Sequence, residues 1–175
     1  VVAEKSQAFG LKVLASDPVV PSELVSQHGG TLVPMDVLLK ESDFVTLHAP
    51  LIPATLKMIS TKELDLMKSD SFIINAARGP LIDEDALYEA LSNGGIGGAG
   101  LDVMIDNLPQ KDHPLLTLEN IIVTPHIAFF SQESTLELEQ RAAEEVVRVY
   151  RGEIPDNLVN PRVLDHENPR HHLGN

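Results

Sequence analysis

Short apolar runs alternate with stretches of helical spacing from one end of the chain to the other. Leu11–Ala15, Thr31–Val33, Phe44–Leu47, Phe72–Ile74, Ala99–Leu101 and Ile121–Val123 are too short for helices and rich in β-branched or small residues. Each reads as a strand, and Phe72-Ile73-Ile74 as a buried strand of a parallel sheet. Between them lie amphipathic segments. Val1–Phe9 ends at Gly10, Ser22 is expected to cap a short helix through Gln27 that ends at Gly29-Gly30, Met35–Lys40 carries Asp36 near its start, and Ser60 is expected to cap Thr61 to about Met67. Ser131 is expected to cap a long helix to about Arg151, which Gly152 stops. Its buried stripe is read as Leu136, Ala143, Val147 and Tyr150, with Ala142 and Val146 beside it. Alternating strands and helices predict an α/β fold with a doubly wound parallel sheet.

The stretch Ser71–Asp102 shows the unit most clearly. Phe72-Ile73-Ile74 leads into Asn75-Ala76-Ala77-Arg78-Gly79-Pro80. Asp83 then caps a helix with Glu84 and Asp85 in its first turn, Leu87, Ala90 and Leu91 on its apolar face, and Asn93-Gly94 at its end. A second strand follows and ends at Asp102-Val103. Ligands of open α/β sheets bind at the carboxyl ends of such strands. Arg78 stands there, with Gly79 and Pro80 fixing the turn after it. A guanidinium fits a carboxylate bidentately, although spacing alone leaves an ordinary solvent-facing arginine equally open. Asp17, after Leu11–Ala15, can accept hydrogen bonds from a ribose or serve as a turn aspartate before Pro18.

Gly95-Ile96-Gly97-Gly98-Ala99-Gly100 matches GxGxxG letter for letter. The dinucleotide fingerprint follows a strand and opens a helix, which sets amide donors against a pyrophosphate. This copy follows a helix and opens a strand. It reads as a turn with close strand packing.

Composition narrows the function classes. The 175 residues include no cysteine, so disulfides and thiolate metal sites are out; no metal is expected. A formal charge of −13 argues against nucleic acid or an anionic membrane surface as partner. No apolar run approaches the roughly 20 residues of a membrane span, and no signal peptide is visible, so a cytoplasmic protein is expected. Residues 1–152 read as a partial dinucleotide-binding domain and 153–175 as a tail with prolines at 155, 161 and 169. The tail's last residues, Asn168–Asn175, are expected to be disordered, with His171-His172 simply solvated.

Three strands end in polar groups, Arg78, Asp102 and His126. The segments NAARGPLIDEDAL, GAGLDV and NIIVTPHIA, in this order, resemble the D-isomer-specific 2-hydroxyacid dehydrogenases. LKVLASDP and VTLHAPLIPAT resemble the same family's cofactor half, and HIAFFSQES with its long helix resembles the branch that includes the C-terminal-binding-protein corepressors. The resemblance implies a dinucleotide-binding domain beside a substrate domain, NAD as cofactor, a small 2-keto or 2-hydroxy acid as substrate, and a homodimer. It implies that Arg78 holds the substrate carboxylate, that His126 is the acid/base, and that Asp17, with Pro18 beside it, meets the ribose. His48, Ala49, Pro50, Ala76, Ala77, Asp102 and Ala128 match positions beside the cofactor. An imidazole suits the proton transfer because histidine ionises near neutral pH.

The chain departs from the family in two places. The family pairs its histidine with a glutamate, and that position here is Asn107, whose amide can orient a ring but brings no charge; Asp106 stays open as the alternative partner. The family's glycine fingerprint, first strand and substrate domain would precede Val1, so a fragment of such an enzyme is expected. The alternative is a non-catalytic relative that dimerises or binds partners.

Overall fold

A computed structural model describes residues 1–106 and 109–165. Strand β1 is Val13–Ala15, β2 Gly30–Leu32, β3 Phe44–Leu47, β4 Phe72–Asn75, β5 Gly98–Leu101 and β6 Ile121–Val123. The helices are α1 Val2–Ala8, α2 Ser22–Gln27, α3 Met35–Glu41, α4 Thr61–Leu64, α5 Glu84–Ser92 and α6 Gln132–Tyr150. All pairings between strands are parallel. They form two sheets, β1-β2 and β3-β4-β5-β6. In a doubly wound sheet of order 3-2-1-4-5-6, one strand stands between the counterparts of β1 and β3. Among the described residues no strand takes that place, and β1 and β3 do not pair.

The core lies on one face of the four-stranded sheet. Val45, Leu47, Ile73, Ala99 and Leu101 pack there with Leu39 of α3, Leu64 of α4, and Leu87 and Leu91 of α5. The opposite face carries Phe44 and Phe72, stacked at 5.6 Å and both exposed, and the exposed Ile122. The run expected to be buried, Phe72-Ile73-Ile74, is therefore covered on one face only: Ile73 is buried and Phe72 is exposed.

Several local expectations need correction. Ser22 is the first residue of α2, not its cap; Pro21 holds the cap position. α4 stops at Leu64 rather than Met67, because the amides of Leu66 and Met67 turn to tighter bonds with Glu63 and Leu64. At its start the Glu63 carboxylate accepts the Ser60 amide, as a capping box requires.

The chain divides into two compact units, Val1–Ala128 and a second beginning at Phe129. In the second, Ser131 and Ser134 cap α6 reciprocally, at 3.0 and 2.8 Å. The expected buried stripe on α6 is absent: Leu136, Val146, Val147 and Tyr150 are exposed, and no residue of the helix is buried. Amphipathic spacing records which side of a helix is apolar, not what covers it. Glu145 accepts the amides of Asp156 and Asn157, and Arg148 pairs with Asp156 at 2.8 Å, so the start of the tail folds back on α6. The expectation for Asn168–Asn175 lies outside the described residues. No helix among the described residues is long and apolar enough to cross a membrane.

Candidate active site

Register places the polar groups. Leu47, Asn75, Leu101 and Val123 are paired in one row across β3, β4, β5 and β6. His48, Ala76, Asp102 and Thr124 each come one residue past that row, at the carboxyl edge. Arg78 and His126 come three residues past it, on either side of β5.

The Arg78 loop is held from three directions. Asn75 is fully buried; its side-chain amide donates to the Arg78 carbonyl at 2.8 Å and its oxygen accepts the Ala77 amide at 3.0 Å. A second brace comes from Lys57-Met58-Ile59. The Lys57 amide donates to the Pro80 carbonyl, the Ile59 amide to Leu81, and the Asp83 amide back to Ile59. Lys57 adopts a left-handed φ of 51° in that position and pairs with Asp83 at 3.0 Å. That hydrogen bond from Lys57 is the main reason the Asp83 carboxyl lies below its ordinary pKa. Third, a Cβ on Gly79 would fall 2.1 Å from the Met104 carbonyl, so only glycine lets this loop touch the strand-end segment after β5. The exposed Arg78 guanidinium donates to the Ala77 carbonyl at 2.6 Å; its other N–H groups make no hydrogen bond among the described residues.

Asp102 organises the loop after β6. Its carboxylate accepts the Thr124 hydroxyl at 2.5 Å, the Ile127 amide at 2.9 Å and the Ala128 amide at 2.8 Å. Its carbonyl accepts the His126 amide at 2.9 Å. Burial pushes the Asp102 carboxyl up, but the Thr124 hydroxyl, the Ala128 and Ile127 amides and the nearby His126 outweigh it, and the group lies below its ordinary pKa. His126 is exposed and holds a left-handed φ of 55°, a conformation that costs energy for a non-glycine residue.

The upstream candidates are more open. Asp17 is exposed; one carboxylate oxygen accepts the amides of Val19 and Val20 at 2.8 and 3.0 Å, and the other makes no hydrogen bond among the described residues. Thus it is the turn aspartate and still offers an acceptor. His48 lies 3.2 Å from the Thr46 hydroxyl. The Pro50 carbonyl accepts the Thr55 hydroxyl at 2.6 Å, which closes the loop after His48-Ala49-Pro50. Asn107 lies outside the described residues. The GxGxxG segment runs from the turn after α5 into β5, where a Cβ on Gly97 or Gly98 would come within 3.0 Å of the Asp70 or Asn120 carbonyl. It is a packing element, as its polarity in the sequence implied.

Sequence reasoning missed Asn75, Lys57 and the bracing role of Asp102. Only Asn75 left a signal: an amide ending a buried strand needs partners for its polar atoms.

Residues 1–128 match the family described as D-isomer specific 2-hydroxyacid dehydrogenase, NAD binding domain. The chain is 44% identical over 160 residues to a D-3-phosphoglycerate dehydrogenase of Methanocaldococcus jannaschii, covering 91% of this chain and 30% of that protein. It is 41% identical over 163 residues to a glyoxylate reductase of Korarchaeum cryptofilum, covering 93% and 49%. Its fold superimposes on a D-lactate dehydrogenase with NAD+ from Lactobacillus jensenii with a TM-score of 0.82 at 35% identity, covering 91% of this chain and 51% of that one.

Proposed function

Because the chain belongs to the D-isomer specific 2-hydroxyacid dehydrogenases, through their NAD binding domain, we propose that it forms the cofactor half of an NAD-dependent enzyme that reduces 2-keto acids to D-2-hydroxy acids. One observation carries this reading. Arg78 and His126 leave the sheet on either side of β5, and each loop is tied to the residues ending that strand. A cation for a carboxylate and an imidazole for a keto oxygen thus flank one point of the carboxyl edge.

The residues fit the cofactor. The open carboxylate oxygen of Asp17 suits a ribose diol, and its charge disfavours a 2′-phosphate. Ala76 and Ala77 leave room beside the strand end. When bound, the nicotinamide supplies the hydride. Arg78 grips the substrate carboxylate with its fork and turns the keto carbon toward the cofactor's place. His126 gives its proton to the keto oxygen as charge develops there. Asp102 aims that imidazole by holding the backbone on both sides of it.

The relatives named above are dehydrogenases and reductases, and nothing in these likenesses favours a purely partner-binding protein. A homodimer in the cytoplasm completes the proposal, supported by the exposed apolar residues of α6; light scattering of the purified full-length protein tests the dimer. The catalytic test is NADH oxidation by the full-length protein with glyoxylate or hydroxypyruvate. Arg78→Lys keeps the charge and loses the fork, so KM for the keto acid should rise about tenfold or more while KM for NADH stays within about twofold. Equal loss of both would remove the carboxylate role from Arg78.

A further inference from the structure

Glu84 opens α5 and has no part in the roles proposed so far. Its side chain is only 13% exposed. One carboxylate oxygen accepts the Ile105 amide at 2.6 Å. The other lies 3.5 Å from Nε2 of His113. The Leu115 amide donates to Nδ1 of His113 at 3.3 Å, so Nδ1 carries a lone pair and the ring proton on Nε2 faces Glu84. A single carboxylate therefore holds the backbone where the chain leaves β5 and the side chain where it returns before Pro114.

The segment so held borders the candidate active site. Asp106, the residue after Ile105, lines a cavity of about 250 Å³ together with Asp102, Thr124 and Pro125, and Pro125 immediately precedes His126. Glu84 also follows Gly79 by five residues, and Gly79 touches the Met104–Ile105 backbone. The Arg78 loop and the Ile105–Asp106 segment are thus locked together at two points.

We propose that Glu84 is a positioning residue: its carboxylate sets the Ile105–Asp106 segment against the Pro125–His126 turn and in register with the Arg78 loop. Its effect on turnover rests on the keto-acid reductase reading above; the clamp itself does not. An amide at this position separates the two contacts. The carbonyl oxygen of Glu84→Gln can still accept the Ile105 amide, but its NH₂ group opposes the Nε2 proton of His113. Glu84→Ala removes both.

The test uses the full-length protein with three readouts: amide exchange at Ile105, the ¹⁵N shifts of the His113 ring, and kcat and KM with NADH and glyoxylate. In Glu84→Gln, Ile105 stays protected, the His113 shifts leave the Nε2-protonated pattern, and kcat falls severalfold with KM for NADH unchanged. In Glu84→Ala, Ile105 exchange rises about tenfold and kcat falls about tenfold or more, the scale expected when a supporting contact lets reacting groups drift. Should Glu84→Ala fail to fold, Glu84→Gln decides through its other readouts: unchanged His113 shifts or an unchanged kcat overturns the proposal. Unchanged Ile105 exchange in a folded Glu84→Ala protein overturns the clamp. Raised exchange with unchanged kcat reduces Glu84 to a structural brace and also overturns the proposal. If the wild-type protein reduces no 2-keto acid, the reductase reading fails, and exchange at Ile105 with the His113 shifts still decides the clamp.

Discussion

Asp102 shows how much one carboxylate can do at a strand end. Three donors converge on it, and its own carbonyl takes a fourth from His126. Its folded pKa lies below the unfolded one, so its contribution to stability is full above the ordinary carboxylate range. That contribution is lost as pH falls through the lowered value. Asp102→Asn keeps the shape but turns an NH₂ toward donors, which should cost about 1–3 kcal/mol near neutral pH. Protection of the Ile127 and Ala128 amides should therefore drop in Asp102→Asn at neutral pH, and the gap to wild type should close in acid. A gap that persists once Asp102 is protonated would mean that packing, not the charge, holds the loop. Arg78 makes the contrasting case. Its position is fixed entirely by neighbours, through Asn75, the Lys57–Ile59 segment and the glycine contact, while its guanidinium stays exposed.

Among the elements, α5 supports the site from both its start and its apolar side. Its first residue clamps the segment after β5, and its apolar side anchors the sheet through Ala86, Leu87 and Leu91. Leu87 is fully buried, and Leu87→Ala should cost about 2–5 kcal/mol. Because α5 follows the Arg78 loop directly, that loss should also release the loop. Denaturant unfolding gives the first quantity, and exchange at the Ala77 amide gives the second. A destabilised variant with an equally protected Ala77 amide would show that Asn75 holds the loop without α5. α6 is the opposite kind of element. It is capped at its start and amphipathic, yet none of its residues is buried, because its apolar stripe needs a partner surface.

At the scale of the molecule, the strands form two separate sheets rather than one. Among the described residues no glycine-rich turn leads from a strand into a helix, so amide donors for a pyrophosphate are not gathered there. On the function proposed above Asp17 meets the ribose, and one such contact is too little to offset the cost of ordering a dinucleotide. The 175-residue chain by itself should therefore show no micromolar binding of NADH in a calorimetric titration. Micromolar affinity would mean that other groups of the chain build an anion site.

The apolar runs located the six strands of the described residues to within one or two residues, and the polarity of the glycine segment alone removed it as a nucleotide loop. Those properties are local: a strand's length, its order relative to helices and its turn residues are written in neighbouring positions. The same locality brought Arg78, Asp102 and His126 to the carboxyl edge, since each simply follows a strand. Tertiary structure decided what those residues touch. Asp102 meets donors 25 and 26 residues away, and Glu84 reaches an amide 21 residues on. Such pairs exist only once parallel register aligns Asn75, Leu101 and Val123 in one row. Which face of the sheet stays open, and whether the stripe on α6 is covered, were likewise outside the reach of periodicity. Apolar spacing states which side of an element needs cover, whereas cover comes from surfaces distant in the chain.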